Sequence, residues 1–337
     1  MYGTGTKKML MMMILEVLKK YSDDEHHLSQ QMIMRYLKNE YDMSCDRRSV
    51  KANVEALMEM GYDISMEGGY ALLSRDFDDP ELRMLIDSVL FSRNITSKQA
   101  DRLIKKLQGF GNRYFESKVS HVASCAELSR LRTDNTQVMI TVNVLNDAID
   151  AKKQVMFHYG AYGTDFKLHP RKKDSKIRTY IVNPYQMIAS NGHYYLLGNI
   201  DAYDDISYYK IDKIMGIDIL DRKAKPIREV RGLENGLDLP KHLAEHIYLF
   251  CDGSVPVKLK CKTEAIDTLV DWFGRDFKIL EEKDDEITVS LKCSEYAMHY
   301  WAMQYGQMFE ILEPASLRGR IRDTIREMAK KYKDPKK

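Results

Sequence analysis

The spacing of apolar positions changes period several times along the chain, and each change marks an expected element. From Lys7 to Tyr21 apolar residues cover most positions, which predicts a helix packed on several sides. Asp23-Asp24-Glu25 ends it as a polar turn. Ser29 can cap a second helix reaching about Tyr41, with Met32, Ile33, Tyr36 and Leu37 as its inner stripe. Ser44 or Asp46 can cap a third, with Val50, Val54, Leu57 and Met58 inside, and Gly61 can close it where a left-handed residue costs little. Residues 62–66 and 70–73, joined by Glu67-Gly68-Gly69, read as a hairpin whose glycines accept positive φ. Three helices followed by a hairpin is the layout of a winged helix-turn-helix.

Helical spacing continues beyond the hairpin. Pro80 sits where a helix can begin, and Leu82, Leu85, Ile86 and Leu90 give the inner stripe. Thr96 can cap the next helix, which runs through Leu103, Ile104 and Leu107 to Gly109 and Gly111. Residues 117–136 are more polar and read as a connector. Residues 142–151 read as a helix, and Val155, Phe157 and Tyr159 then alternate as a strand. Three aromatic and β-branched runs follow, at 178–185, 192–198 and 207–214, and read as strands of one small curled sheet. In the tail a strand (255–260), a helix (263–273), two strands across Asp284-Asp285, a helix (294–305) and a strand (309–312) give the order β-α-β-β-α-β. That order predicts a ferredoxin-like unit, followed by a last helix with Leu317, Ile321, Ile325 and Met328 inside.

The expected fold class is therefore α+β and multidomain. The expected pieces are a winged helix at 1–75, a helical spacer at 76–138, a small β domain at 139–222, a connector at 223–252 and a ferredoxin-like domain at 253–333. A length of 337 residues fits this, since one ordinary core does not grow so large. Apolar content of 44% and charged content of 30% are those of a globular chain. No apolar run approaches the roughly 20 residues of a membrane span, so no membrane is expected and the location is read as cytoplasmic. The five cysteines, Cys45, Cys125, Cys251, Cys261 and Cys293, lack metal-ligand spacing and read as reduced thiols. No metal and no cofactor is expected.

Net charge is +2, and residues 1–75 carry 10 Lys/Arg against 11 Asp/Glu, so DNA binding must come from local clustering. The third helix offers it. Arg47, Arg48, Ser49, Lys51 and Ala52 are the candidate DNA-binding residues, two or three cations with a small residue that permits close approach to a major groove. The order Asp46-Arg47-Arg48-Ser49-Val50-Lys51 is similar to the third helix of many bacterial winged-helix repressors.

The three central runs carry a more specific likeness. Gly192-His193-Tyr194-Tyr195-Leu196-Leu197-Gly198 follows Arg178 and Pro184-Tyr185, and precedes Tyr209-Lys210-Ile211-Asp212-Lys213-Ile214. In this order and spacing the chain resembles the WYL-domain regulators. Their Gly-x-Trp-Tyr-Leu-x-Gly strand has Tyr194 here in place of tryptophan, and lysines replace two arginines of their last motif. The resemblance implies an Sm-like central barrel that binds a nucleic-acid or nucleotide effector. It also implies a C-terminal extension that completes the site, matched by Glu313-Pro314-x-x-Leu317-Arg318. Carried over position by position, the effector-binding candidates are Tyr159, Arg178, Tyr185, Tyr195, Lys210 and Lys213. Tyrosine faces can stack bases and the cations can take phosphate. Tyr194 and Leu196 share one strand face and are expected in the core. The run Arg171-Lys172-Lys173 is expected to be a solvated loop, and Arg318, Arg320 and Arg322 are further contact candidates.

An enzyme is not expected. No glycine-rich phosphate loop follows a strand, His158, His169 and His193 lack partners at ligand spacing, and His26-His27 falls in a polar turn. The leading expectation is a homodimeric, ligand-responsive transcription regulator, a repressor on a palindromic double-stranded DNA operator, with a phage-defence or DNA-damage regulon implied by the resemblance. The alternative is an accessory protein that binds single-stranded RNA or DNA and modulates a defence nuclease.

Overall fold

The computed structural model describes residues 9–115, 132–200 and 202–333. The chain divides into two compact units, residues 1–136 and 137–337.

In the first unit three helices, α1 (Leu10–Tyr21), α2 (Gln30–Tyr41) and α3 (Arg47–Glu59), precede a short hairpin of β1 (Ile64–Ser65) and β2 (Ala71–Leu72). Local chemistry sets the starts of two of them. Ser29 Oγ accepts from the Met32 N–H at 3.2 Å, and the Asp46 carboxylate accepts from the Ser49 N–H at 2.7 Å, so each cap satisfies an amide that the helix leaves open. Gly68 and Gly69 turn the hairpin with φ of 70° and 140°. Leu28 and Tyr70 exchange two backbone hydrogen bonds, tying the α1–α2 turn to the hairpin. Ile14, Leu18, Ile33, Leu37, Val50, Val54 and Leu57 form the core, each worth about 1.5–3 kcal/mol of transfer from water. Met58 is 41% exposed, against expectation. One residue past Leu57, it is turned about 100° off the buried stripe.

Two further helices, α4 (Asp79–Phe91) and α5 (Ser97–Gln108), each begin with a capping box, Asp78 with Glu81 and Thr96 with Gln99. Leu85 falls outside the buried stripe of α4. The loop after α5 docks on the end of α1. The Arg113 N–H donates to Lys20 O at 3.0 Å, and Asn112 Nδ2 donates to Asp23 Oδ2 at 2.8 Å. His26, expected in an open turn, stacks on Tyr114 at 3.6 Å and contacts Asp23 at 2.6 Å. Most of the expected connector at 117–136 lies outside the described residues.

The second unit opens with α6 (Val138–Asp150), which covers a sheet of β3 (Lys153–Tyr162), β7 (Thr179–Ser190), β8 (His193–Asn199), β9 (Ile206–Lys210) and β10 (Ile214–Lys223). The strands lie in the order β10-β3-β7-β8-β9, all antiparallel, and β4 (Leu168–Pro170) pairs with β3. The glycines of the central motif have separate causes. Gly192 turns β7 into β8 with φ of 75°. At Gly198 a Cβ would stand 2.6 Å from Val182 Cγ1 and 2.8 Å from Asn183 O, so only glycine lets β8 lie against β7.

Two expectations fail here. The run 207–214 is not one strand; it breaks at a 3-10 turn over Ile211–Lys213 and returns along β3 as β10. Ile211 and Ile214 are both buried. Three positions apart, they would face opposite sides of a strand but share a side in a 3-10 turn. Tyr194 is 38% exposed although Leu196, on the same face, lies in the core. It stands at the turn end of β8, past the packed stretch. The other face of the sheet carries a second core of Ile188, Leu197, Ile206, Val230 and Leu233, to which residues 223–252 contribute, including α7 (Leu239–Glu245).

The rest of this unit is a four-stranded sheet in the order β12-β13-β11-β14: β11 (Ser254–Lys262), β12 (Lys278–Lys283), β13 (Glu286–Ser294) and β14 (Phe309–Glu313). It is interleaved with α8 (Ile266–Phe273), α9 (Glu295–Tyr305) and α10 (Ala315–Lys331) around a core centred on Trp301. On α10 Leu317 is buried and Ile321 packs partly, while Ile325 and Met328 are exposed at 52% and 41%. The helix outruns the sheet it lies on. No helix among the described residues is long and apolar enough to cross a membrane.

Candidate nucleic-acid and effector site

At one end of the central sheet the backbone folds a basic hairpin, β5 (Lys172–Lys173) and β6 (Lys176–Ile177), turned by Asp174 and Ser175 at positive φ. Two arginines close its base. The Arg171 N–H donates to Tyr159 O at 2.9 Å, and the Arg178 N–H donates to Arg171 O at 2.8 Å. Their guanidiniums stand over neighbouring rings: Arg171 Cζ lies 5.3 Å from the Tyr159 centroid and Arg178 Cζ lies 4.5 Å from that of Tyr180. Each contact contributes about 0.5–1 kcal/mol where water still reaches the cation.

Tyr159 and Tyr180 belong to a buried aromatic group with Phe157 and Tyr209. Phe157 stacks parallel to Tyr180 at 5.9 Å, and Tyr159 meets Tyr209 edge-on at 5.4 Å. Tyr159 Oη accepts from the Lys210 N–H at 3.0 Å, which anchors the end of β9. Burial pushes the Tyr159 phenol up to about 12, with the Lys210 amide and Arg171 pulling the other way, and burial also pushes Tyr209 up to about 12. Both phenols therefore stay protonated at neutral pH and serve as hydrogen-bonding and stacking groups. They are not bases.

Lys210 pairs with Tyr195 across β8 and β9. His193 meets the Tyr195 ring edge-on at 6.4 Å, and its Nδ1 lies 3.8 Å from Asp212 Oδ2, with both side chains nearly enclosed. Lys213 Nζ reaches to 5.9 Å from the Tyr162 ring at the end of β3. Tyr159, Arg178 and Lys210 thus lie around the buried aromatic group, with Tyr195 opposite Lys210 and Lys213 beside Tyr162. Tyr185 does not join them. A bulge between Pro184 and Gln186 shifts the register of β7, and Tyr185 packs on the opposite face with its Oη donating to Lys225 O at 2.9 Å.

The structure adds residues that the sequence reading passed over. Arg171 is the twin of Arg178 across the hairpin rather than part of a featureless loop. The readable signal was a polar Asp174-Ser175 turn flanked symmetrically by cations. His193 and His169, read from spacing as lacking carboxylate partners, each face one; His169 Nε2 contacts Asp165 Oδ2 at 2.9 Å in an exposed turn. Arg318, Arg320 and Arg322 face Glu310, Glu295 and Asp323 of their own domain. No cluster able to hold a metal occurs among the described residues.

In the first unit, α3 presents Arg47, Arg48, Lys51 and Ala52 to solvent, opposite Val50, Val54 and Leu57. Ser49 is half-buried in the capped first turn. Lys51 Nζ lies 3.6 Å from Glu55, an exposed pair that leaves the lysine available.

Two family models match this chain, a WYL domain over residues 141–219 and a WCX domain over residues 253–329. The chain contains a WYL domain and a WCX domain. The WYL match contains the whole group of arginines and tyrosines described above. No curated protein matches the chain. Among solved structures, proteasome accessory factor B/C (PafBC) of Arthrobacter aurescens is 13% identical, with a TM-score of 0.28 over 99% of this chain and 50% of that one. A CRISPR Cas-related protein is 14% identical, with a TM-score of 0.37 over 98% and 88%. The chain spans half the length of PafBC. Likenesses this distant carry no functional argument, and the WYL-domain assignment rests on the family models.

Proposed function

We propose that this WYL-domain protein is a DNA-binding transcription regulator whose central domain senses an anionic, stackable effector, a nucleotide or a nucleic-acid strand. The observation that carries this reading is the arginine pair, Arg171 and Arg178, set over Tyr159 and Tyr180 beside Tyr195 and Lys210. Planar guanidiniums take phosphate in a fork, and an adjacent ring offers a face to a base. Phenols held protonated by burial suit binding better than proton transfer, so no enzymatic role is proposed.

The strand order β10-β3-β7-β8-β9 behind a helix supports reading the centre as an Sm-like barrel, and β12-β13-β11-β14 supports a ferredoxin-like tail. Three helices, a hairpin and the Leu28–Tyr70 bridge support a winged helix-turn-helix head. In this reading a cytoplasmic homodimer places two copies of α3 in successive major grooves of a palindromic operator, and acts as a repressor of defence or DNA-repair genes. An effector that binds one state of the dimer more tightly shifts it toward or away from the operator. The test is binding to a duplex from the protein's own promoter. Arg48→Ala with Lys51→Ala abolishes it while circular dichroism stays unchanged; undiminished binding by the folded double variant removes α3 from the groove.

A further inference from the structure

Residues 1–75 carry 10 Lys/Arg against 11 Asp/Glu, which leaves duplex binding short of the excess cations that normally supply its salt-dependent part. The same compact unit holds such cations elsewhere. On α5, Lys98, Arg102, Lys105 and Lys106 are all exposed, and their spacing of four, three and one places them on one face. The opposite face carries Ala100, Leu103, Ile104 and Leu107, with Ala100 fully buried and Ile104 and Leu107 packed on the neighbouring core. Among the described residues none of the four cations takes part in an ion pair, unlike Lys20, Lys38 and Arg83 of the same unit, and like Arg47 and Arg48 of α3. The one acid on this face, Asp101, lies at its edge. With Lys98, Arg102, Lys105 and Lys106 it lines a shallow depression of about 500 Å³.

We propose that the outward face of α5 is a second duplex contact, binding DNA phosphates in addition to the groove contact of α3. This rests on the regulator reading. Charge complementarity selects the occupant. From Lys98 to Lys106 the stripe is about 12 Å long, and each strand of a duplex offers one phosphate per roughly 3.4 Å of axis, so three or four phosphates match four cations. A flat row of long, unpaired cations without an enclosed pocket or an aromatic ring between them fits a continuous backbone rather than a small anion or a base. Such contacts add affinity without sequence preference. They would let a head that lacks net positive charge hold DNA while α3 reads it.

The experiment is a salt titration of the full chain against a mixed-sequence 30-base-pair duplex and against its promoter duplex. The variants are Lys98→Gln, Arg102→Gln, Lys105→Gln and Lys106→Gln combined, and a charge-preserving set, Lys98→Arg, Arg102→Lys, Lys105→Arg and Lys106→Arg. The neutralised protein should bind both duplexes at least tenfold more weakly at 50 mM salt, and its log–log salt slope should be shallower by about 2.7–3.6, at roughly 0.9 per lost phosphate contact. The charge-preserving set should keep the wild-type slope, which separates charge from helix integrity. Wild-type binding with an unchanged slope in the neutralised protein overturns the α5 contact and leaves the regulator reading intact. No duplex binding by the wild type, even at 50 mM salt, overturns the regulator reading and this contact with it.

Discussion

Replacing Tyr159 by phenylalanine removes one atom from the candidate effector site and leaves the rest in place. The ring stays buried against Phe157, Tyr180 and Tyr209, and Arg171 still finds an aromatic face. What is lost is the acceptor for the Lys210 N–H, now held at 3.0 Å. An amide left without its partner costs about 1–3 kcal/mol when fully buried. Lys210 is half-buried, so water recovers part of this and about 1–2 kcal/mol is expected. For a unit of the size of residues 137–337, each kcal/mol moves the melting temperature by roughly 2–4 °C, giving a fall of about 2–8 °C. Urea unfolding followed by near-ultraviolet circular dichroism measures the difference, with an unchanged denaturant slope showing that the unfolded state is unaltered. Tyr180→Phe, at a ring in the same aromatic group, serves as the control and should change stability by less than about 0.5 kcal/mol. A Tyr159→Phe protein as stable as wild type would refute the role of this hydroxyl in anchoring β9.

Two other positions give sharp expectations. At Gly198 an added methyl meets Val182 and a backbone carbonyl at under 3 Å, so Gly198→Ala should destabilise by about 1–3 kcal/mol; a chemical-denaturation midpoint equal to wild type contradicts the close approach of β7 and β8. His242, which accepts from Tyr208 Oη, is held down to about 4, first by burial and then by its neighbour His246. The unfolded chain takes up a proton near 6.5 that the folded one refuses, so the stability held by neutral His242 is complete above pH 6.5 and declines as pH falls toward 4. The effect is about 1–2 kcal/mol after allowance for the part of the ring that water still reaches. His242→Asn should flatten this part of the stability–pH curve, and an unaltered curve would rule out His242 as its source.

What could be read from the sequence was the chemistry that acts over a few residues. The Ser29 and Thr96 caps, the glycine hairpin and the tail's alternation of strands and helices depend on side chains near their own backbone, and each is found where its residues predict it. What escaped depends on pairing between distant strands. Nothing near Pro184-Tyr185 announces the bulge that turns Tyr185 to the far face. The break after Lys210 becomes necessary only once β10 has returned along β3 and both Ile211 and Ile214 must be buried. Arg171 matches Arg178 only after the chain between them has folded back on itself. Length misled as well: Ile325 and Met328 keep the helical period of a buried stripe beyond the point where α10 has a sheet to cover.

The proposed function stands on the arginine pair over Tyr159 and Tyr180 binding the anionic part of an effector. A fluorescence-anisotropy titration of a labelled single-stranded oligonucleotide, repeated from 50 to 200 mM salt with wild type and with Arg171→Gln/Arg178→Gln, tests it most directly. If each guanidinium takes one phosphate, the double variant should lose binding by at least tenfold, and its log–log salt slope should fall by about 1.4, near 0.7 for each single-strand phosphate. Equal affinity and equal slope in a double variant that keeps the wild-type fold would contradict the claim.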